Sequence, residues 1–286
     1  MFTSPWGGSS LDQLGHERLS EGNALGPMSL AVDASGHVYV LDEVNGRVVR
    51  HDASGKPDRA TPIELKTPED LVVAKDGAML VLDRHSGAQV SVYDAAGKPT
   101  GSLALTCDGL DDAGQVTGIF TDGSSVYAEK EHGPLFLLGD TSGVAATART
   151  QIPGRPTRDG LSFITAGITD AAAGRTYVSS IDRATMQHRF TRELRMKSPA
   201  LSIVLLDTDA AGTIYFGVEI QDAGAQPAVV LSCLEPEHGA VIGSTVLPAN
   251  TLPEETFRDF VVLDGGGVIY ALRSESGVSY LEADCT

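Results

Sequence analysis

Several absences narrow what this chain can be. Of 286 residues only three are cysteines, Cys107, Cys233 and Cys285. The number is odd and none sits in a Cys-x-x-Cys pair, so the pattern supports no zinc centre built on cysteine. No apolar run approaches the roughly 20 residues a membrane-spanning helix needs. Positive charge is scarce: 21 Lys and Arg stand against 38 Asp and Glu, a formal charge of −17. That disfavours nucleic acid and anionic membranes as partners, since both are gripped by dense Lys and Arg. Aromatic residues make up 6%, too few for the stacking platforms that hold single-stranded nucleic acid. The histidines form neither His-x-His nor His-Glu-x-x-His, and no serine stands in a Gly-x-Ser-x-Gly elbow. The first residues, Met-Phe-Thr-Ser-Pro-Trp-Gly-Gly, lack the charged and then apolar regions of a signal peptide.

What is present is a repeat. Turns ending at Gly36, Gly77, Gly123, Gly174, Gly212 and Gly267 are each followed by an alternating strand. Tyr39, Tyr127, Tyr177, Tyr215 and Tyr270 occupy one register of that strand, with Leu80 in the remaining copy. Such turns use residues that tolerate φ > 0, as tight hairpins demand. A unit of about 40–50 residues holding several short strands predicts a β-propeller. Read strand by strand, each unit has four, a to d. In the first copy a is 29–32, b is 37–41, c is 47–51 and d lies near 63–66. The sixth copy supplies a (259–263), b (268–272) and c (278–282), and its missing d is filled by residues 2–6. The expectation is all-β: one domain over 1–286, a six-bladed propeller of four-stranded antiparallel blades, closed by the N-terminal strand. On this map Cys233 and Cys285 fall on rim strands that splay apart, which predicts buried free thiols rather than a disulfide.

Residues 27–52 resemble an NHL repeat through Pro27, Ala31, Val32, Asp33, Gly36, Tyr39, Val40, Asp42, Asn45, Arg47, Val48 and Asp52. The motif is recognisable again in the second copy and eroded in the later ones. Residues 6–23 and 152–160 lie outside it. The resemblance implies a propeller whose faces bind something; the family includes protein-binding scaffolds, RNA-binding domains and a few enzymes. Its bacterial members are often exported, so an exported location is favoured if a signal once preceded this chain, and the cytoplasm otherwise.

The candidate site residues fall into two groups. Asp42 and Asp83, at the ends of the b strands, form either an acidic rim or caps for the turns that follow. Asp70 and Asp259 sit at the mouths of a strands, beside the central channel, where two carboxylates begin a Ca²⁺ site. The alternative is pairing with arginine, Arg258 being adjacent to Asp259. A gluconolactonase-like metal ring of Glu, Asn and Asp is not matched at four of the six mouths. His37 and His51, at turn and strand ends, are expected to be exposed; His85 and His132 fall on b–c loops. The second group is basic. Residues 145–198 carry nine Lys and Arg against four acidic residues, a local +5 in an acidic chain. Arg155 and Arg158 are placed in the d–a loop entering blade four, and Arg183 and His188 in its b–c loop. Arginines grip carboxylates and phosphates bidentately.

Two functions follow. One is a non-catalytic binding scaffold, a monomer with no cofactor, presenting this arginine patch to a protein, an acidic glycan or a small acidic ligand. The other is a divalent-metal-dependent hydrolase or lyase at the channel mouth, for which Ca²⁺ is the ion to consider.

Overall fold

The chain is described from a computed structural model that covers residues 1–286 except 107, 222–225, 251, 253–255 and 286; Cys107 therefore lies outside the described residues. A five-residue turn written Asp-x-x-Gly-x recurs. At Asp33, Asp52, Asp94, Asp140 and Asp209 one carboxylate oxygen accepts the backbone N–H groups two and four residues on. The glycine three residues after each Asp has φ between 80° and 86°, a conformation that side-chain-bearing residues avoid. Each such turn reverses the chain and joins two antiparallel strands.

Strand β1 spans Phe2–Pro5. Blade one holds β2 (Ser29–Val32), β3 (Val38–Asp42), β4 (Arg47–His51) and β5 (Pro57–Pro62). Blade two holds β6 (Asp70–Val73), β7 (Met79–Asp83), β8 (Gln89–Tyr93) and β9 (Pro99–Ala104). Blade three holds β10 (Val116–Asp122), β11 (Ser125–Lys130), β12 (Leu135–Asp140) and β13 (Gln151–Ile152). Blade four holds β14 (Arg155–Pro156), β15 (Ser162–Asp170), β16 (Arg175–Asp182) and β17 (His188–Arg195). Blade five holds β18 (Ala200–Thr208), β19 (Ile214–Ile220), β20 (Ala228–Leu234) and β21 (Val241–Pro248). The sixth sheet adds β22 (Phe260–Val262), β23 (Val268–Ser274) and β24 (Gly277–Ala283), in the order β1-β24-β23-β22. The chain is a six-bladed β-propeller. Strand β1 takes the fourth place of the last blade, with Phe2 opposite Tyr280 and Pro5 opposite Gly277.

The chain divides into two compact units. The first contains blades one to three, residues 253–259 and residues 274–280; the second contains blades four and five and the remainder of the sixth sheet. Within the first, Leu41, Val48, Leu71 and Val81 pack between blades one and two, and Leu82, Val90, Ile119 and Val126 between blades two and three. In the second, Ile164, Val178, Phe216 and Val218 join blades four and five. Strands β3 and β7 are buried at every residue, because a second strand is covered on both faces, whereas β9 is exposed at all but one.

Three expectations are corrected. Strand d of blade one is Pro57–Pro62, not residues 63–66. Blade four is read one strand out of register: Tyr177 lies in its third strand, and the a–b turn is Thr157-Arg158-Asp159-Gly160. The two turns of a blade carry the same signature, and here the a–b copy has Thr in place of the leading Asp. Finally, Cys233 and Cys285 form a disulfide, their Cα atoms 5.9 Å apart. Cys233 pairs in register with Gly243 of β21. A β-carbon on Gly243 would meet the Cys285 carbonyl oxygen at 2.5 Å. Lacking one, Gly243 lets the two strands approach where rim strands otherwise splay.

Candidate functional site

In the first unit the starts of the a strands are tied by one ion pair. Arg258 donates to Asp70 through Nε at 2.9 Å and Nη2 at 2.6 Å. The Asp70 side chain is 0% exposed and that of Arg258 22%. Ser29 Oγ and the Leu71 amide also reach Asp70 Oδ1, at 2.9 Å each, and the Ile119 amide reaches Oδ2 at 3.1 Å. Arg258 Nη2 further donates to the Ile119 carbonyl, and its guanidinium lies 5.2 Å from the Phe120 ring centroid. Five donors therefore fill the oxygens of Asp70. A carboxylate so engaged has little left for Ca²⁺, which asks for six to eight oxygens. The arginine next to Asp259 in sequence serves Asp70 instead, while Asp259 accepts from Thr256 Oγ1 at 3.2 Å.

Asp42 and Asp83 are buried. Asp42 accepts from the Gly15 amide, Asn45 Nδ2 and Arg47 Nε, each at 2.8 Å. Arg47 and Asn45 go on to the carbonyls of Gln13 and Gly7, so Asp42 fastens the N-terminal segment that lies outside the repeat. Asp83 accepts from Thr67 Oγ1, the Ser86 hydroxyl and amide, and the Gly87 amide. Burial pushes its carboxyl up, but these hydrogen bonds outweigh burial and hold it below the ordinary range.

The basic residues of blade four separate. Arg155 turns toward blade five and donates to the Leu206 carbonyl at 2.6 Å. Arg158 bridges Asp207 at 2.5 Å and Asp264 at 2.8 Å. Arg183 and His188 flank the c–d turn, not a b–c loop, and both are exposed. The Arg183 guanidinium stands 5.5 Å from the Phe163 centroid, and His188 Nε2 lies 2.9 Å from Thr191 Oγ1. Arg189 joins them, donating to Ser162 Oγ at 2.8 Å.

Two carboxylate–imidazole pairs emerge that the sequence did not single out as pairs. Buried Glu69 lies 3.3 Å from His85 Nε2 while Arg84 grips it bidentately. Buried Glu129 lies 3.6 Å from His132 Nδ1 and accepts from Thr117 Oγ1 at 3.0 Å. The His132 turn is strained: Glu131 and His132 have φ of 49° and 56°. Both amides are held, one by the Gln115 carbonyl and one by Thr117 Oγ1. The signal was present in blade three as a tight turn with no glycine or asparagine at its two centres.

With this geometry in hand, the chain is similar to solved β-propeller structures. Hydrazine synthase of Kuenenia stuttgartiensis matches with a TM-score of 0.55 and 16% identity, over 92% of this chain and 79% of that one. U3-55K matches at 0.53 and 9%, over 90% and 81%. A DUF4221 family member from Bacteroides vulgatus matches at 0.51 and 12%, over 94% and 96%. Identities this low carry the fold alone. No protein-family model matches the sequence, and no curated protein sequence matches it. No helix among the described residues is long and apolar enough to cross a membrane.

Proposed function

We propose that this chain is a binding module of the NHL-like propeller kind, and that it meets an acidic protein or glycan through the c–d turn and outer strand of blade four. One observation carries the reading: in a chain of charge −17, His188, Arg189, Arg192 and Arg195 are all exposed along a single outer strand, with Arg183 on the turn before it. Arg155 and Arg158 contribute by holding blade five, and the carboxylates of Asp42, Asp70, Asp83 and Asp259 are left out because each already accepts hydrogen bonds within the protein. The Cys233–Cys285 disulfide supports an oxidising compartment, where such bonds persist.

The test is calorimetry with a polyglutamate peptide and a sulfated oligosaccharide at low and high salt. Wild type is expected to bind at least one probe, more weakly as salt rises. The combined Arg183→Glu, His188→Glu, Arg189→Glu variant is expected to lose binding while Arg158→Ala keeps it. Equal binding by the triple variant, or none by wild type to either probe, removes the patch as the site.

A second reading, a hydrolase or lyase, is favoured by the strained turn of blade three. Left-handed backbone at non-glycine residues costs on the order of 1 kcal/mol or more each and gathers at functional sites. It sets an exposed imidazole over a buried carboxylate, the arrangement of a positioned general base. Turnover of a lactone or ester panel that disappears in His132→Gln supports it; turnover unchanged by that substitution, or absent in wild type, sets it aside.

A further inference from the structure

His51 ends strand β4 and is 0% exposed, against the expectation of an exposed strand-end histidine. Neither Nδ1 nor Nε2 has a hydrogen-bond partner among the described residues. A buried imidazole ordinarily donates through one nitrogen and accepts through the other. Leaving both unmade costs free energy, so packing must hold the ring in place.

The packing is an aromatic stack. The Phe2 ring lies on His51 with centroids 4.1 Å apart and planes at 23°. The same ring lies on Tyr280 at 4.7 Å and 25°. Phe2 opens β1 and is Tyr280's partner in the strand ladder. Its other neighbour is Gly55, in the c–d turn of blade one, where a β-carbon would come within 2.6 Å of Phe2 Cβ. Beside its ladder with β24, this four-residue strand is thus anchored by one ring in a slot whose floor is a histidine.

That slot suits a neutral imidazole, which stacks as an aromatic. An imidazolium there would bring two N–H donors to a buried place where the Val38 carbonyl is the acceptor at hand. The groups that favour the cation are the Val38 carbonyl and, more weakly, the charges of Asp58 and Asp52, all from its own blade, and together they offset burial only in part. From β1 and β24 come only the Phe2 ring and, behind it, the Tyr280 phenol. The Met1 amino group beside Phe2 belongs to an exposed residue. Burial dominates, taking the imidazole from its usual 6.5 down to about 4.

We propose that His51 is an acid-release latch for β1: neutral, it seats Phe2; protonated, it turns to water, unseats the ring and frees the strand. Release bares the edge of β24, a row of unpaired N–H and C=O groups that accepts an added strand. The device is separate from the basic surface of blade four, and its test does not depend on any ligand.

Hydrogen exchange read by mass spectrometry, corrected for the pH dependence of intrinsic rates, tests it. Peptides covering residues 2–5 and 277–283 are expected to lose at least tenfold in protection between pH 6.5 and about 4, while residues 38–42 of the core stay protected. His51→Phe keeps the stack without a titrating group and is expected to hold protection throughout; Phe2→Ala is expected to lack it even at pH 7. Wild-type protection unchanged at pH 4, loss together with the core, or the same loss in His51→Phe each overturns the latch. Should His51→Phe fail to fold, the imidazole resonances of wild type decide: titration coincident with strand release supports the latch, and titration near 6.5 with β1 still protected overturns it.

Discussion

The two units solve one problem, holding a strands together, with different chemistry. In the first, a fully buried carboxylate takes a bidentate arginine and three further donors, all drawn from strands of that unit. In the second, Arg158 spans Asp207 and Asp264 with its side chain 25% exposed and theirs 28% and 45%, and a disulfide is added at the rim. The two arginines are similarly exposed, but water reaches the carboxylates of the second arrangement and not that of the first. The buried tie should therefore be sensitive above all to the loss of its arginine, whereas the exposed bridge should be forgiving and leave most of the fastening to the covalent bond.

The sharpest way to break this contrast is at Asp70 and Arg258. Removing Arg258 strands a buried carboxylate, and Arg258→Ala is expected to lower unfolding free energy by about 3–5 kcal/mol in urea titrations; Asp70→Ala leaves a partly exposed guanidinium and is expected to cost less. Replacing both by apolar residues of similar volume should recover much of that loss. A cost below about 1 kcal/mol for Arg258→Ala would mean that water reaches the pair.

In the second unit the disulfide closes a separation of 52 residues. Chain entropy assigns a loop of that size about 4 kcal/mol, so Cys233→Ser with Cys285→Ser is expected to lower the melting temperature by a similar amount to reduction of wild type. Reduction without effect would place the fastening elsewhere.

Acid provides the next test. The His51 imidazole is depressed from 6.5 to about 4, so between those values the unfolded chain binds the extra proton. Its contribution to stability is complete above about 6.5 and is lost as pH falls toward 4, about 3 kcal/mol in all by linkage. Denaturant midpoints at pH 7 and pH 4.5 should differ more for wild type than for His51→Phe; equal differences would show the ring to be accessible to water. The smallest effect belongs to Arg158→Ala, about 1 kcal/mol and diminishing with salt.

Much of the scaffold was legible in the chain itself. The Asp-x-x-Gly-x turn is local chemistry, a carboxylate reaching amides two and four residues on, so its positions mark strand ends wherever they fall. It was legible even to the need for β1, since the sixth copy lacks a strand. The same locality misled in blade four, where Asp170-Ala-Ala-Ala-Gly174 resembles an a–b turn while the true one begins with Thr157. For the candidate site less could be read. The turn-capping alternative for Asp42 and Asp83 involves neighbours three to five residues away and was visible; the donors from Gly15 and Thr67 were not.

The sequence by itself determined the number of blades, the turn chemistry and the charge reversal in blade four, because each depends on spacing along the chain. Only the tertiary structure decided which charges meet. Asp70 and Arg258 stand 188 residues apart, Cys233 reaches Cys285 through a glycine on a third strand, and His51 loses its water to a ring from the first strand. Such meetings depend on how sheets stack, and stacking is set by the whole apolar core rather than by any segment that could be read alone.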